Sequence, residues 1–172
     1  MRLFNREAYS YRAESTVPPF DDKGPVVFMD GECALCSGAA RAIAKLDRAG
    51  EFRICPIQSE LGRAVLEHYG LDSKNPDSGL YLADGKAYSS LDAVIRVGIR
   101  LGGMGQLLRA FMILPPSVQD WLYCRIARNR YSMFGRREMR ANPDPALMQR
   151  LLTAPALGSS TRLKTNAQPR GN

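Results

Sequence analysis

Two cysteines three residues apart, Cys33 and Cys36, preceded at the same interval by an acid, Asp30, form the part of this 172-residue sequence best suited to chemistry. Thiols at that spacing lie one helical turn apart, so one can attack a disulfide while the other resolves the mixed disulfide that results. If a helix opens at this point, its unpaired amide N–H groups and the positive end of its dipole favour a thiolate, against a pKa of about 8.5 for a free thiol. Cys33 is therefore expected to be the nucleophile. Cys36, further into the helix, is expected to be the less exposed, resolving thiol. Asp30 follows an apolar run and can accept or return the resolving proton, or, while charged, oppose thiolate formation. Glu32 adds to that repulsion, and no basic residue lies between the two cysteines.

Other uses of the same residues have to be weighed. Cys-x-x-Cys is also half of a zinc knuckle, but the chain has one histidine and no second such pair, so no metal is expected. Two small thiols can also simply pack. Cys55, within a strand-like run, and Cys124, beside Trp121 and Leu122, read as core residues. His68 falls in the last turn of a helix, where a cation is favourable without catalysis. A redox pair needs no cofactor beyond its own cysteines.

The elements around the pair follow from apolar spacing. Pro25 to Met29 is a short apolar run ending at Asp30-Gly31, which suits a strand buried on both faces. From Cys36 the positions Ala39, Ala40, Ile43 and Leu46 recur at helical spacing and stop at Gly50. Phe52 to Ile57 reads as a second strand, and Ser59 opens a helix closed by Gly70. Leu80 to Leu82 and Lys86 to Tyr88 flank Asp84-Gly85, a hairpin signal because both turn positions need positive φ. Three helical stripes follow: one from Leu91 to Leu101, one with Met104, Leu107, Leu108, Phe111 and Met112, and one with Val118, Trp121, Leu122 and Ile126. The expected fold is α/β, of thioredoxin/glutaredoxin order β-α-β-α-β-β-α, with a mixed four-stranded sheet and extra C-terminal helices.

Residues 1–24 read as a polar, loosely ordered N-terminal arm, 25–140 as the thioredoxin-like domain with appended helices, and 141–172 as an extension with a disordered tail from Leu157. The arm has no apolar segment behind a basic start, and no run approaches membrane-spanning length, so a cytoplasmic protein without a membrane span is expected. The net charge of +7 is uneven: residues 1–96 carry 12 Lys/Arg against 14 Asp/Glu, and residues 97–172 carry 12 against 3. A basic half can face an anionic partner or simply solvent.

With these motifs in hand, the chain resembles the DCC family of thiol-disulfide oxidoreductases over roughly Val26 to Arg137. Asp30-Gly31-Glu32-Cys33-Ala34-Leu35-Cys36 is similar to its Asp-Gly-x-Cys-x-x-Cys signature, Pro56-Ile57-Gln58-Ser59 to the segment after its second strand, and Ala127-Arg128-Asn129-Arg130-Tyr131 with Phe134-Gly135-Arg136 to its closing motif. The resemblance implies a thioredoxin-like fold, a redox pair at Cys33 and Cys36, and Asp30 as the third named residue. Two departures stand out: no proline immediately precedes the third strand, where thioredoxins place a cis-proline, and no cysteine follows the closing Phe-Gly-Arg. Arg128, Asn129 and Arg130 are candidates to fold back beside the first helix and supply the positive charge that the acidic signature lacks; the alternative is that they cap their own helix. The expected function is thiol–disulfide exchange with a protein or low-molecular-weight thiol or disulfide, with nucleic acid not expected and oligomeric state open. The competing reading is a non-catalytic module that docks an anionic partner through its basic C-terminal half.

Overall fold

β1 (Val26–Met29) lies in the middle of the sheet, and its alternating side chains feed two separate cores. In the computed structural model, which describes residues 6–72, 79–139, 141 and 144–152, β1 pairs in parallel with β2 (Arg53–Pro56) and antiparallel with β3 (Leu80–Ala83). β4 (Lys86–Ser89) completes the order β2-β1-β3-β4. Val26 and Phe28 pack on one face with Leu61, Val65 and Leu66 of α2 (Glu60–His68). Val27 and Met29 pack on the other with Ala40, Ile43 and Ala44 of α1 (Ala34–Leu46) and with Ala93 and Val97 of α3 (Ser90–Leu101). The fold is mixed α/β in the expected thioredoxin-like order.

Local chemistry explains the joints. Ser59 caps α2 by accepting the Gly62 N–H at 2.9 Å. Asp84 and Gly85 adopt φ of 51° and 73°, the left-handed pair a two-residue hairpin requires. After α3 the chain forms a 3₁₀ segment, Gly103–Ile113, held close to α3, where a side chain at Gly105 would run into the Gly98 carbonyl. α4 (Pro116–Phe134) and the short α5 (Pro145–Met148) follow. The chain then runs along the free edge of β2, with Leu152 N–H donating to Ile54 O at 2.8 Å.

Three expectations are corrected. Within the N-terminal arm, residues 6–24 are pinned and not loose: Tyr11 is buried in the α2-side core, its hydroxyl donates to Asp22, and Arg12 pairs with the same carboxylate. Aromatic anchors scattered among polar residues hid this. The stripe from Met104 to Met112 does not form core, since the 3₁₀ segment buries none of its residues. Trp121 and Cys124, expected in the core, are exposed, because α4 turns Tyr123, Ala127, Arg130 and Tyr131 inward instead. Cys55 is buried as expected. The tail expected to be disordered from Leu157 lies outside the described residues.

Candidate active site

The turn after β1 carries the site. Asp30 follows the strand, Gly31 and Glu32 make the turn, and Cys33 is the residue immediately before α1, which begins at Ala34 and not at Cys36 as the apolar spacing suggests. Cys33 thus holds the cap position and Cys36 lies in the first helical turn. The two thiols lie near each other, close enough to influence one another electrostatically. Burial pushes the Cys36 thiol up to about 12; the neighbouring Cys33 pushes the same way, and the Arg130 charge opposes it. Burial thus favours the protonated form of Cys36.

The exposures are the reverse of the sequence expectation. Cys33 is 0% exposed, whereas Cys36 is only half-buried. The cover over Cys33 is the segment Gly135–Met139, which leaves α4 at Gly135 (φ 77°) and crosses the signature loop as an antiparallel partner. Arg136 bridges Cys33, Arg137 N–H donates to Glu32 O at 2.8 Å, and Met139 N–H donates to Gly31 O at 2.7 Å. The buried Ser37 hydroxyl donates to Arg137 O at 3.0 Å, and Met139 anchors the strap in the core.

Asp30, 2% exposed, has both oxygens filled. Oδ1 accepts from Gln58 Nε2 at 2.7 Å and from the Glu32 N–H at 2.9 Å. Oδ2 accepts from Arg130 Nη2 at 2.8 Å and from the Tyr131 hydroxyl. Burial alone would raise this carboxyl; the donors Tyr131, Glu32 N–H and Gln58, together with the Arg130 charge, outweigh it and hold the carboxyl below its ordinary range. Arg130 is itself buried, with its Nε unpartnered among the described residues. Gln58 also accepts the Gly31 N–H at 2.9 Å, which ties the turn to the segment following β2.

Of the three closing-motif residues singled out, Arg130 alone reaches the site. Successive helical residues point about 100° apart: Arg128 faces solvent, and Asn129 donates to Arg125 O of its own helix at 2.8 Å. Three contributors were missed as actors. Gln58 and Tyr131 stood inside quoted motifs without a role. Tyr123, one helical turn before Ala127, reaches from α4 to the residue directly before β3: its hydroxyl oxygen accepts the Gly79 N–H at 3.3 Å, and burial pushes the phenol up to about 12. No peptide bond among the described residues is cis. No group of three or more His, Cys, Asp or Glu among the described residues is placed to hold a metal ion. His68 is at the end of α2 as expected, but it is buried, with its Nε2 hydrogen-bonded to the Ser10 hydroxyl; burial lowers its pKa, so the favourable cation at a helix end does not explain it.

Comparison with known proteins fits this arrangement. Residues 27–136 match the family model described as DCC1-like thiol-disulfide oxidoreductase. The chain is 36% identical over 127 residues to the uncharacterized protein YuxK of Bacillus subtilis (strain 168), covering 74% of this chain and 93% of that one. It is 29% identical over 136 residues to the DCC family protein At1g52590, chloroplastic, of Arabidopsis thaliana, covering 78% and 79%. No solved structure matches.

Proposed function

Because the chain belongs to the DCC1-like thiol-disulfide oxidoreductase family, we propose that it is an enzyme exchanging thiols through Cys33 and Cys36 with a protein or low-molecular-weight partner. The observation that carries this reading is the placement of two neighbouring thiols at the opening of α1, Cys33 in the cap position and Cys36 within the first turn. Cys33, as thiolate, attacks one sulfur of a substrate disulfide; the substrate S–S bond breaks, and one substrate thiolate leaves. Cys36 then attacks the Cys33 sulfur of the mixed disulfide and gives up its proton to the departing second thiolate. Two electrons have passed to the substrate, and a low-molecular-weight thiol returns the protein to its dithiol form. No cofactor beyond the pair takes part, and a reducing, cytoplasmic setting belongs to the same reading.

Asp30 acts in this scheme as a positioning residue. An ionised carboxylate with four donors has no free lone pair for the Cys36 proton, so its work is to fix Arg130 beside the thiols. Since Cys33 lies beneath the Gly135–Met139 strap, exchange requires that strap to lift and break the Cys33–Arg136 pairing. The test is insulin reduction with dithiothreitol as reductant. Wild type accelerates it, while Cys33→Ser and Cys36→Ser both fall to the uncatalysed rate. Equal rates for wild type and Cys33→Ser would refute the proposal.

A further inference from the structure

The 3₁₀ segment Gly103–Ile113 has a surface that neither the fold nor the thiol site uses. In a 3₁₀ helix residues i and i+3 eclipse, so Met104, Leu107, Ala110 and Ile113 form one straight apolar row. All four are exposed, Met104 to 85% and Ile113 to 86%. The opposite row, Gly105 and Leu108, lies against Gly98 of α3 and accounts for the attachment of the segment. Beyond the turn at Leu114 and Pro115, Val118 and Trp121 on α4 are exposed too, Trp121 to 66%. Contiguous apolar surface of this kind on a water-facing element marks a contact.

Charge selects the occupant. Between residues 102 and 137 the sequence has six arginines, no lysine and a single acid, Asp120. Arg130 is paired with Asp30, but Arg109, Arg125, Arg128, Arg136 and Arg137 are exposed. A second copy of the chain would bring the same positive surface against itself, which opposes association. A folded acidic protein would have to offer a cleft for a convex row of aliphatic side chains. A bilayer of anionic lipid needs no such cleft: aliphatic residues and a tryptophan enter the headgroup boundary while arginines meet phosphates. We propose that the 3₁₀ segment and the start of α4 dock this protein on an anionic membrane surface, lying on it without crossing it. Among the described residues no helix is long and apolar enough to cross.

The chain provides its own reporter, because Trp121 is its single tryptophan. The full-length protein is titrated with vesicles of phosphatidylcholine alone and of phosphatidylcholine with about one-third phosphatidylglycerol. The mixed vesicles should shift Trp121 emission to the blue, protect it from iodide and carry the protein with them on flotation, with binding weakened as salt is raised. Pure phosphatidylcholine should do little. Met104→Glu/Ile113→Glu, at positions too exposed to affect folding, should weaken binding at least tenfold, and Arg109→Gln about fivefold. Insulin reduction in solution should be unchanged in both, so vesicle binding and thiol exchange can each fail alone. No response to mixed vesicles overturns the proposal. So does a free protein whose Trp121 is already blue-shifted and iodide-protected, since the row is then covered by a second copy or by the chain's own C-terminal segment. A response to soluble polyglutamate and none to vesicles overturns it in favour of an acidic protein.

Discussion

Helix α1 is held at each end by a buried aspartate and an arginine that arrives from about a hundred residues away, and the two ends differ in what surrounds the pair. At the C-terminal end, Asp47 caps α1, accepts the Phe52 N–H at 3.0 Å and pairs with Arg150 at 3.1 Å. Arg150 also donates to Asp47 O and Ala146 O, so its guanidinium is enclosed by oxygens of the clamp. At the N-terminal end, Asp30 pairs with Arg130 at 2.8 Å, but Arg130 keeps a buried, unpartnered Nε and bears electrostatically on Cys36. One clamp is closed upon itself and the other bears on the Cys36 thiol. The same device recurs at both ends, and the difference is the neighbouring sulfur, which in the proposed scheme makes the Asp30–Arg130 pair a positioning element for thiol exchange.

The largest expected effect is at the thiol end. Asp30→Asn leaves Arg130 charged, buried and without its counter-ion, a change that costs about 3–5 kcal/mol; urea unfolding should show that loss together with slower insulin reduction by the remaining folded protein. Arg150→Met should cost somewhat less, about 2–3 kcal/mol, because Asp47 keeps its backbone donors. Its folded fraction should reduce insulin at the wild-type rate, and an equal loss of exchange would erase the distinction between the two ends.

Acid sharpens the comparison. The Asp30 carboxyl is depressed in the folded state, so the unfolded chain binds the proton more readily; the stability it contributes is present above about pH 4 and is lost as pH falls through the folded value. Urea midpoints between about pH 3 and 7 should therefore fall less steeply in Asp30→Asn than in wild type. Smallest is Tyr131→Phe, which removes one donor to a charged oxygen. It should cost about 1–2 kcal/mol, raise the Asp30 carboxyl, and leave Arg130 in place, so exchange should drop less than in Asp30→Asn.

Much of this was legible where the cause is local. The apolar run before Asp30, the Asp84-Gly85 turn and the Ser59 cap each act over a few residues, and they are enough to set the order of strands and helices. The thiol pair was legible for the same reason. What escaped depends on contacts made across the chain. Tyr131 and Gln58 reach Asp30 from 101 and 28 residues away, and no spacing rule connects them. A signal for Gln58 did exist: β2 runs parallel to β1 with Pro56 opposite Met29, so the polar residue two beyond Pro56 must emerge beside the signature turn. The burial of Cys33 came from a strap that follows the last long helix, which a reading confined to the first βα unit cannot see. The Met104 stripe is deceptive because its apolar spacing fits a 3.6-residue period, whereas the segment winds at three residues per turn.

Trapping of the mixed disulfide puts the roles of the two sulfurs to the most direct test. Cys33→Ser and Cys36→Ser are each incubated with oxidised glutathione, and the adduct is located by peptide mass spectrometry. A stable glutathione adduct on Cys33 in Cys36→Ser, with little or none on Cys36 in Cys33→Ser, is the expected result. An adduct on Cys36 with Cys33 untouched beneath its strap would contradict it.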